Sequence, residues 1–229
     1  MKKEYYVFKI NLKVLNIFSL VILGVAILFS FILFPSLTNL AFGSFWGNLI
    51  SLPCLIGYMM LHELFHALGY ILYGVDPKKI TFGAELEKGV FYCLCKQDIS
   101  RKNILNASMF PLFWIGIVTY IVSIIFNLPL LFWLSIINIS GAAGDIMYFM
   151  FFNKLDKDIK FSELDDGTSF AILSENDISN VKSFGLEFVG KVKEIPRSDF
   201  TRVKISKLSW IFIIICLVSL ILHVFDIIF

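Results

Sequence analysis

Gly57-Tyr-Met-Met-Leu-His62-Glu63-Leu-Phe-His66-Ala-Leu-Gly-Tyr70 sets three ionisable side chains into otherwise apolar sequence. The stretch overlaps the end of a run, Val14 to Leu61, that has no Asp, Glu, Lys or Arg over 48 residues. A second uncharged run covers the 42 residues from Asn103 to Gly144, and a third the 18 residues from Leu208 to Phe225. Together the three runs make up 108 of the 229 residues. A soluble domain of this size cannot enclose so much apolar chain in one core, whereas about 20 apolar residues span a bilayer. The composition, 58% hydrophobic and 17% charged, therefore excludes a soluble globular protein, a disordered chain and a nucleic-acid binder. A net charge of +2 gives no sign of a polyanionic partner, and the lipid bilayer is the first partner expected.

Pro35-Ser-Leu-Thr-Asn-Leu40 and Asn127-Leu-Pro129 divide the long runs. Spans are predicted near 15–34, 45–73, 104–126, 130–152 and 208–229. The expected fold is an all-α polytopic membrane protein of about five transmembrane helices, with a short cytoplasmic β-hairpin and a small α+β cytoplasmic segment. The expected organisation is a membrane core over 1–152, with the hairpin at 74–103, a cytoplasmic segment over 153–207 and a C-terminal transmembrane helix over 208–229. The 20 basic residues fall in three segments: four in 1–13, six in 74–102 and ten in 153–207. By the positive-inside rule these face the cytoplasm of a multi-pass cell-membrane protein, with the N-terminus inside and the C-terminus outside. Lys2 and Lys3 before an apolar stretch also suit a signal peptide. The uncharged core is long for one, however, and no small-x-small cleavage site follows, so a retained helix is expected.

Within 74–103, Lys79-Ile-Thr-Phe-Gly83 and Gly89-Val-Phe-Tyr-Cys-Leu94 read as short strands around Glu85-Leu-Glu-Lys-Gly. The 153–207 segment balances ten basic with ten acidic residues. In it Thr168–Leu173 reads as a strand, and Ser174 as the cap of a helix over about 175–184. Cys54 and Cys216 read as packing residues; Cys93 and Cys95 form a C-x-C that is conceivable as half of a metal site but has no second pair.

An ionisable group in a span is costly and calls for a reason. His62-Glu63-Leu-Phe-His66 is an H-E-x-x-H motif. On a helix, residues four apart share a face, so both imidazoles can bind one Zn²⁺, and Glu63 beside the first ligand can act as general base toward a water. A chance match would leave three costly groups in lipid without compensation. A catalytic zinc needs a third protein ligand and an open position. Asp145 supplies the ligand, because it and His66 each lie about seven residues from the cytoplasmic end of their spans, roughly 10 Å deep at 1.5 Å per residue. Gly141 and Gly144 suit a loosened helix around it. The lesser alternative for Asp145 is a helix-terminal or interhelical polar contact. His223 and Asp226 lie toward the outer interface and receive no role.

His62-Glu-Leu-Phe-His-Ala-Leu, Ile80-Thr-Phe-Gly83, Phe110-Pro-Leu112, Gly144-Asp145 and Asp165-Asp-Gly together resemble an uncharacterised bacterial family of zincin peptidases, integral-membrane H-E-x-x-H metallopeptidases. The resemblance covers about residues 57–173. That family is in turn similar to site-2 proteases, which act in regulated intramembrane proteolysis. It implies that His62, His66 and Asp145 bind zinc and that Glu63 is the catalytic acid/base. The metal-binding Asp of site-2 proteases usually sits in an Asn-x-x-Pro … Leu-Asp-Gly pattern. Here Asn138 and Asp145 are kept, the proline is absent, Ile146 replaces the glycine, and no PDZ-sized insertion is present. Asn138 is a candidate substrate-binding residue, an asparagine facing a helix neighbour being the commoner case. Resemblance also implies that Lys79–Leu94 pairs with an unwound substrate.

The expected function is an intramembrane zinc metallopeptidase that hydrolyses peptide bonds of a membrane protein or hydrophobic peptide near the cytoplasmic face. The alternative is a non-catalytic zinc-binding membrane chaperone, sensor or transporter on a zincin scaffold. Glu63 speaks against it, since a structural site needs no base and closes with four protein ligands. A proton relay through Glu63 and Asp145 leaves the two histidines unexplained.

Overall fold

A computed structural model describes residues 4–38, 45–85, 90–164 and 167–195; the span expected near 208–229 lies outside them. These residues form β1 (Glu4–Ile10), α1 (Leu12–Leu33), α2 (Pro35–Thr38), α3 (Phe45–Leu72), β2 (Ile80–Glu85), β3 (Val90–Cys95) and β4 (Ile99–Ser100). There follow α4 (Arg101–Pro111), a π-helical stretch (Leu112–Val118), α5 (Thr119–Ile125), α6 (Pro129–Gly141), α7 (Ala143–Phe152), β5 (Lys160–Glu163), β6 (Ser169–Ser174) and β7 (Leu186–Val192).

The all-helical expectation is overturned. Alongside the helices, a five-stranded sheet runs in the order β4-β5-β6-β1-β7, every pairing antiparallel, and β2 and β3 form a second, two-stranded sheet. The N-terminal residues, read as a charged flank, are the strand next to the sheet edge: Tyr6 pairs with Ile172 on one side and Lys191 on the other. Tyr6 and Phe8 point to the core with period two. Of the expected spans, three helices among the described residues are long and apolar enough to cross a membrane: Leu12–Leu33, Pro53–Leu72 and Arg101–Ile125. The fourth is broken, with α6 and α7 bent by 42° across Ala142. In α1 only Ser30 is buried, while Leu20, Leu28, Phe29 and Ile32 are well exposed, as on a lipid-facing helix. The expected helix over 175–184 does not form. Asn176 N–H donates to Ser174 Oγ and Ser179 N–H to Asp177 Oδ1, local bonds that compete with a helical ladder.

The described residues divide into two compact units. One takes in 20–62 and 112–141, and packs Phe132 and Ile136 of α6 with Leu37, Phe34 and Tyr120. The other takes in 4–19, 63–111 and 142–195. Its core joins one face of the five-stranded sheet to helix residues: Phe8, Phe161, Phe170 and Ile172 meet Phe151 and Phe152 of α7, Ala67 and Tyr70 of α3, and Ile104 and Ala107 of α4. Arg101 fixes the helix ends of that unit, its guanidinium donating to the Phe152 carbonyl at 2.6 Å and the Asn153 carbonyl at 2.9 Å. Asn103 Nδ2 likewise donates to the Tyr73 carbonyl at 2.7 Å, just past the end of α3.

Phe170 is fully buried, with ring centroids 5.1 Å from Tyr148 and 5.6 Å from Phe161. Phe170→Ala should cost about 3–5 kcal/mol. Chemical denaturation in detergent checks this, and a loss below 1 kcal/mol would mean the sheet face is not packed as described.

Candidate metal centre

The site is built on α3. Gly69, three residues past His66, lets α3 lie close to α4: a Cβ at 69 would stand 3.2 Å from the Ala107 Cα and 3.2 Å from the Phe110 Cβ. The approach brings the Ala107 carbonyl within 3.1 Å of His66 Nδ1. That carbonyl has no helical donor four residues on, because residue 111 is proline and has no N–H. A carbonyl only accepts, so Nδ1 carries the ring proton and Nε2 is left to face Asp145, 3.3 Å from its Oδ1. Asp145 lies in the first turn of α7, just past the bend, where the amide dipoles favour a carboxylate.

His62 completes the group. One ligand atom from each of His62, His66 and Asp145 lies within 4.8 Å of the other two. Among the described residues these three are the one group of three or more His, Cys, Asp or Glu arranged to hold a metal ion. The donor set, two imidazole nitrogens and a carboxylate oxygen, is that of a catalytic zinc site with a fourth position left over. The spacing fits as well. Bonds of about 2.0–2.1 Å in a tetrahedron separate neighbouring ligand atoms by about 3.3 Å. A bare His66 Nε2 set against a carboxylate is repulsive, so the 3.3 Å contact calls for either a proton or a metal ion between them. Asn138, expected as a substrate contact, instead has its amide nitrogen 3.0 Å from His62 Nδ1.

Glu63 is adjacent to His62 and half-buried. His223, Asp226 and the Asp165-Asp pair lie outside the described residues. Cys93 and Cys95 are buried free thiols outside the metal group, and burial pushes Cys95 up to about 12 and Cys93 higher still. They are protonated packing residues.

Sequence reasoning passed over two contributors. One is Ala107, whose signal was the proline four residues later. The other is Glu163 at the end of β5. It accepts from Tyr70 Oη at 3.0 Å and from the backbone N–H of Cys95, joining α3, β3 and β5. No spacing in the chain links these three residues, which the sheet brings together.

Residues 55–159 match the model of a family described as "putative zincin peptidase". The matched segment, which carries His62, Glu63, His66, Ala107, Asn138 and Asp145, is similar to that family. Similarity to site-2 proteases finds no such match: no curated protein and no solved structure matches the chain.

Burial lifts the Glu163 carboxyl from its ordinary 4.5 to about 7, against the opposing pull of the Cys95 N–H and the Tyr70 hydroxyl. Between those values the folded chain binds more protons than the unfolded one, so stability falls as pH rises through that window. The slope is at most about 1.4 kcal/mol per pH unit. In zinc-free protein, Glu163→Gln should flatten the curve between about pH 4.5 and 7; melting at stepped pH reads this, and an unchanged slope would remove Glu163 as its source.

Proposed function

We propose, from the similarity of residues 55–159 to the zincin peptidase family, that this chain is an intramembrane zinc metallopeptidase that cleaves a membrane protein or hydrophobic peptide. The observation that carries the reading is the convergence of His62, His66 and Asp145 within 4.8 Å, the histidines on an apolar helix of spanning length and Asp145 on the second half of a bent apolar helix pair. When bound, zinc polarises the scissile carbonyl and lowers the pKa of a water in the site.

The protein's own groups do the rest. His62 and His66 present two nitrogens from one helix face, and Asp145 a carboxylate from the next bent span. Glu63 is the general base in this reading. It takes a proton from the water as the oxygen attacks the carbonyl carbon, and gives that proton to the amide nitrogen as the C–N bond breaks. The basic segments flanking the helices support a site near the cytoplasmic face, through the positive-inside rule. The same geometry without Glu63 would serve a non-catalytic zinc protein, so Glu63 is the residue to test.

Glu63→Gln should retain one zinc per chain and lose cleavage by at least about 100-fold, the low end of what a positioned base contributes. Comparing protein N-termini in membranes of cells expressing wild type or Glu63→Gln reads the activity without knowing the substrate. New termini within or beside transmembrane segments, present only with wild type, are the expected result. Identical sets of termini with zinc bound would favour the non-catalytic alternative.

A further inference from the structure

Asn138 sits in α6 and is 6% exposed, a costly place for an amide. Its amide makes one hydrogen bond, to His62 Nδ1 at 3.0 Å, while the other amide atom, drawn as Oδ1, is buried with no partner among the described residues. The surroundings are fitted to it. Gly116, in the π-helical stretch, faces the amide: a Cβ there would stand 3.5 Å from Oδ1, 3.0 Å from Ile139 Cγ1 and 3.3 Å from Leu112 Cδ1. With one end on His62 and the other enclosed, the amide offers a substrate little to touch.

An Asn amide has the same shape in either orientation, and the hydrogen-bond chemistry selects between them. If NH₂ donates to Nδ1, the His62 proton is forced onto Nε2, and neither ring nitrogen is available to a metal. If the oxygen faces the ring, it accepts from Nδ1–H and leaves Nε2 bare. His66 already shows the second arrangement, with the Ala107 carbonyl on its Nδ1.

We propose that Asn138 is a positioning residue whose side-chain oxygen accepts the Nδ1–H of His62, fixing ring and tautomer so that Nε2 can ligate the metal. The proposal rests on the zinc reading above. Both histidines are then oriented by the same device, a carbonyl oxygen on Nδ1, supplied once by backbone and once by side chain.

The test is zinc affinity of the full-length protein in detergent, by competition with a chromophoric chelator. Asn138→Leu should weaken zinc binding about 10–100-fold. Asn138→Asp, which keeps an acceptor oxygen, should hold affinity at or above the wild-type value, a rescue that mere packing would not give. Zinc-free melting reports folding separately. Should the Leu variant fail to fold, Asn138→Ser, too short to reach the ring, replaces it against Asp with the same expectation. Unchanged zinc affinity in the Leu or Ser variant, with KM raised instead, would make Asn138 a substrate contact and overturn the proposal. Wild-type protein that takes up no zinc would sink the zinc reading, and this inference with it; zinc binding indifferent to Asn138 would sink this inference alone.

Discussion

A helix that carries histidines through an apolar layer must find each of them a polar partner on another element, because its own backbone groups are already bonded to one another. On α3 this requirement repeats every four residues. Tyr58, His62, His66 and Tyr70 form a stripe that turns by about 40° per step. Each is met from a different place. Tyr58 donates to the Ile115 carbonyl at 2.6 Å, His62 meets the Asn138 amide, His66 the Ala107 carbonyl and Asp145, and Tyr70 the Glu163 carboxyl. The candidate metal group is the middle of this stripe, where two successive side chains on one face could hold a metal ion.

Regular helices would not have supplied those partners. Ala107 can serve His66 because Pro111 takes no part in the helical ladder, and the Ile115 carbonyl that Tyr58 reaches lies in the π-helical stretch directly after that proline. Asp145 follows the break between α6 and α7. Each of these irregularities frees or re-aims a polar group that meets a side chain of the stripe. In hydrocarbon that is the condition for tolerating irregular backbone at all.

What could be read from the chain follows from how far each signal reaches. The H-E-x-x-H helix and the β2–β3 pair are local patterns, visible within 5 and 16 residues, and both are present. Asp145 stands out as an acid at the edge of an uncharged run, and the structure brings it together with His62 and His66. The five-stranded sheet was not legible, because β1 pairs with strands more than 150 residues away and its alternation, Tyr6 and Phe8, is too short to stand out beside the uncharged run that follows. Reading the charges of residues 1–13 as membrane flank hid the strand. Asp145 stands out in the sequence as an ionisable residue inside a span and Asn138 through the resemblance to site-2 proteases, but only the fold shows that one faces a histidine's Nε2 and the other a histidine's Nδ1.

The sheet is more than a neighbour of the helices it covers. Glu163 ends β5, whose place is fixed by β4 on one side and β6 on the other. Its carboxyl holds Tyr70, one turn beyond His66, and the backbone of Cys95 in β3. A helix held by a hydrogen bond one turn from a ligand is restrained in rotation about its axis, and rotation is the motion that would carry His66 away from Asp145. Two carboxyls thus constrain the same helix in different ways. Asp145 faces the imidazole directly, whereas Glu163, pushed up by burial, acts through Tyr70. The non-local strand pairings that sequence could not reveal therefore bear on the 3.3 Å distance between His66 and Asp145, two residues of the group that could hold a metal ion.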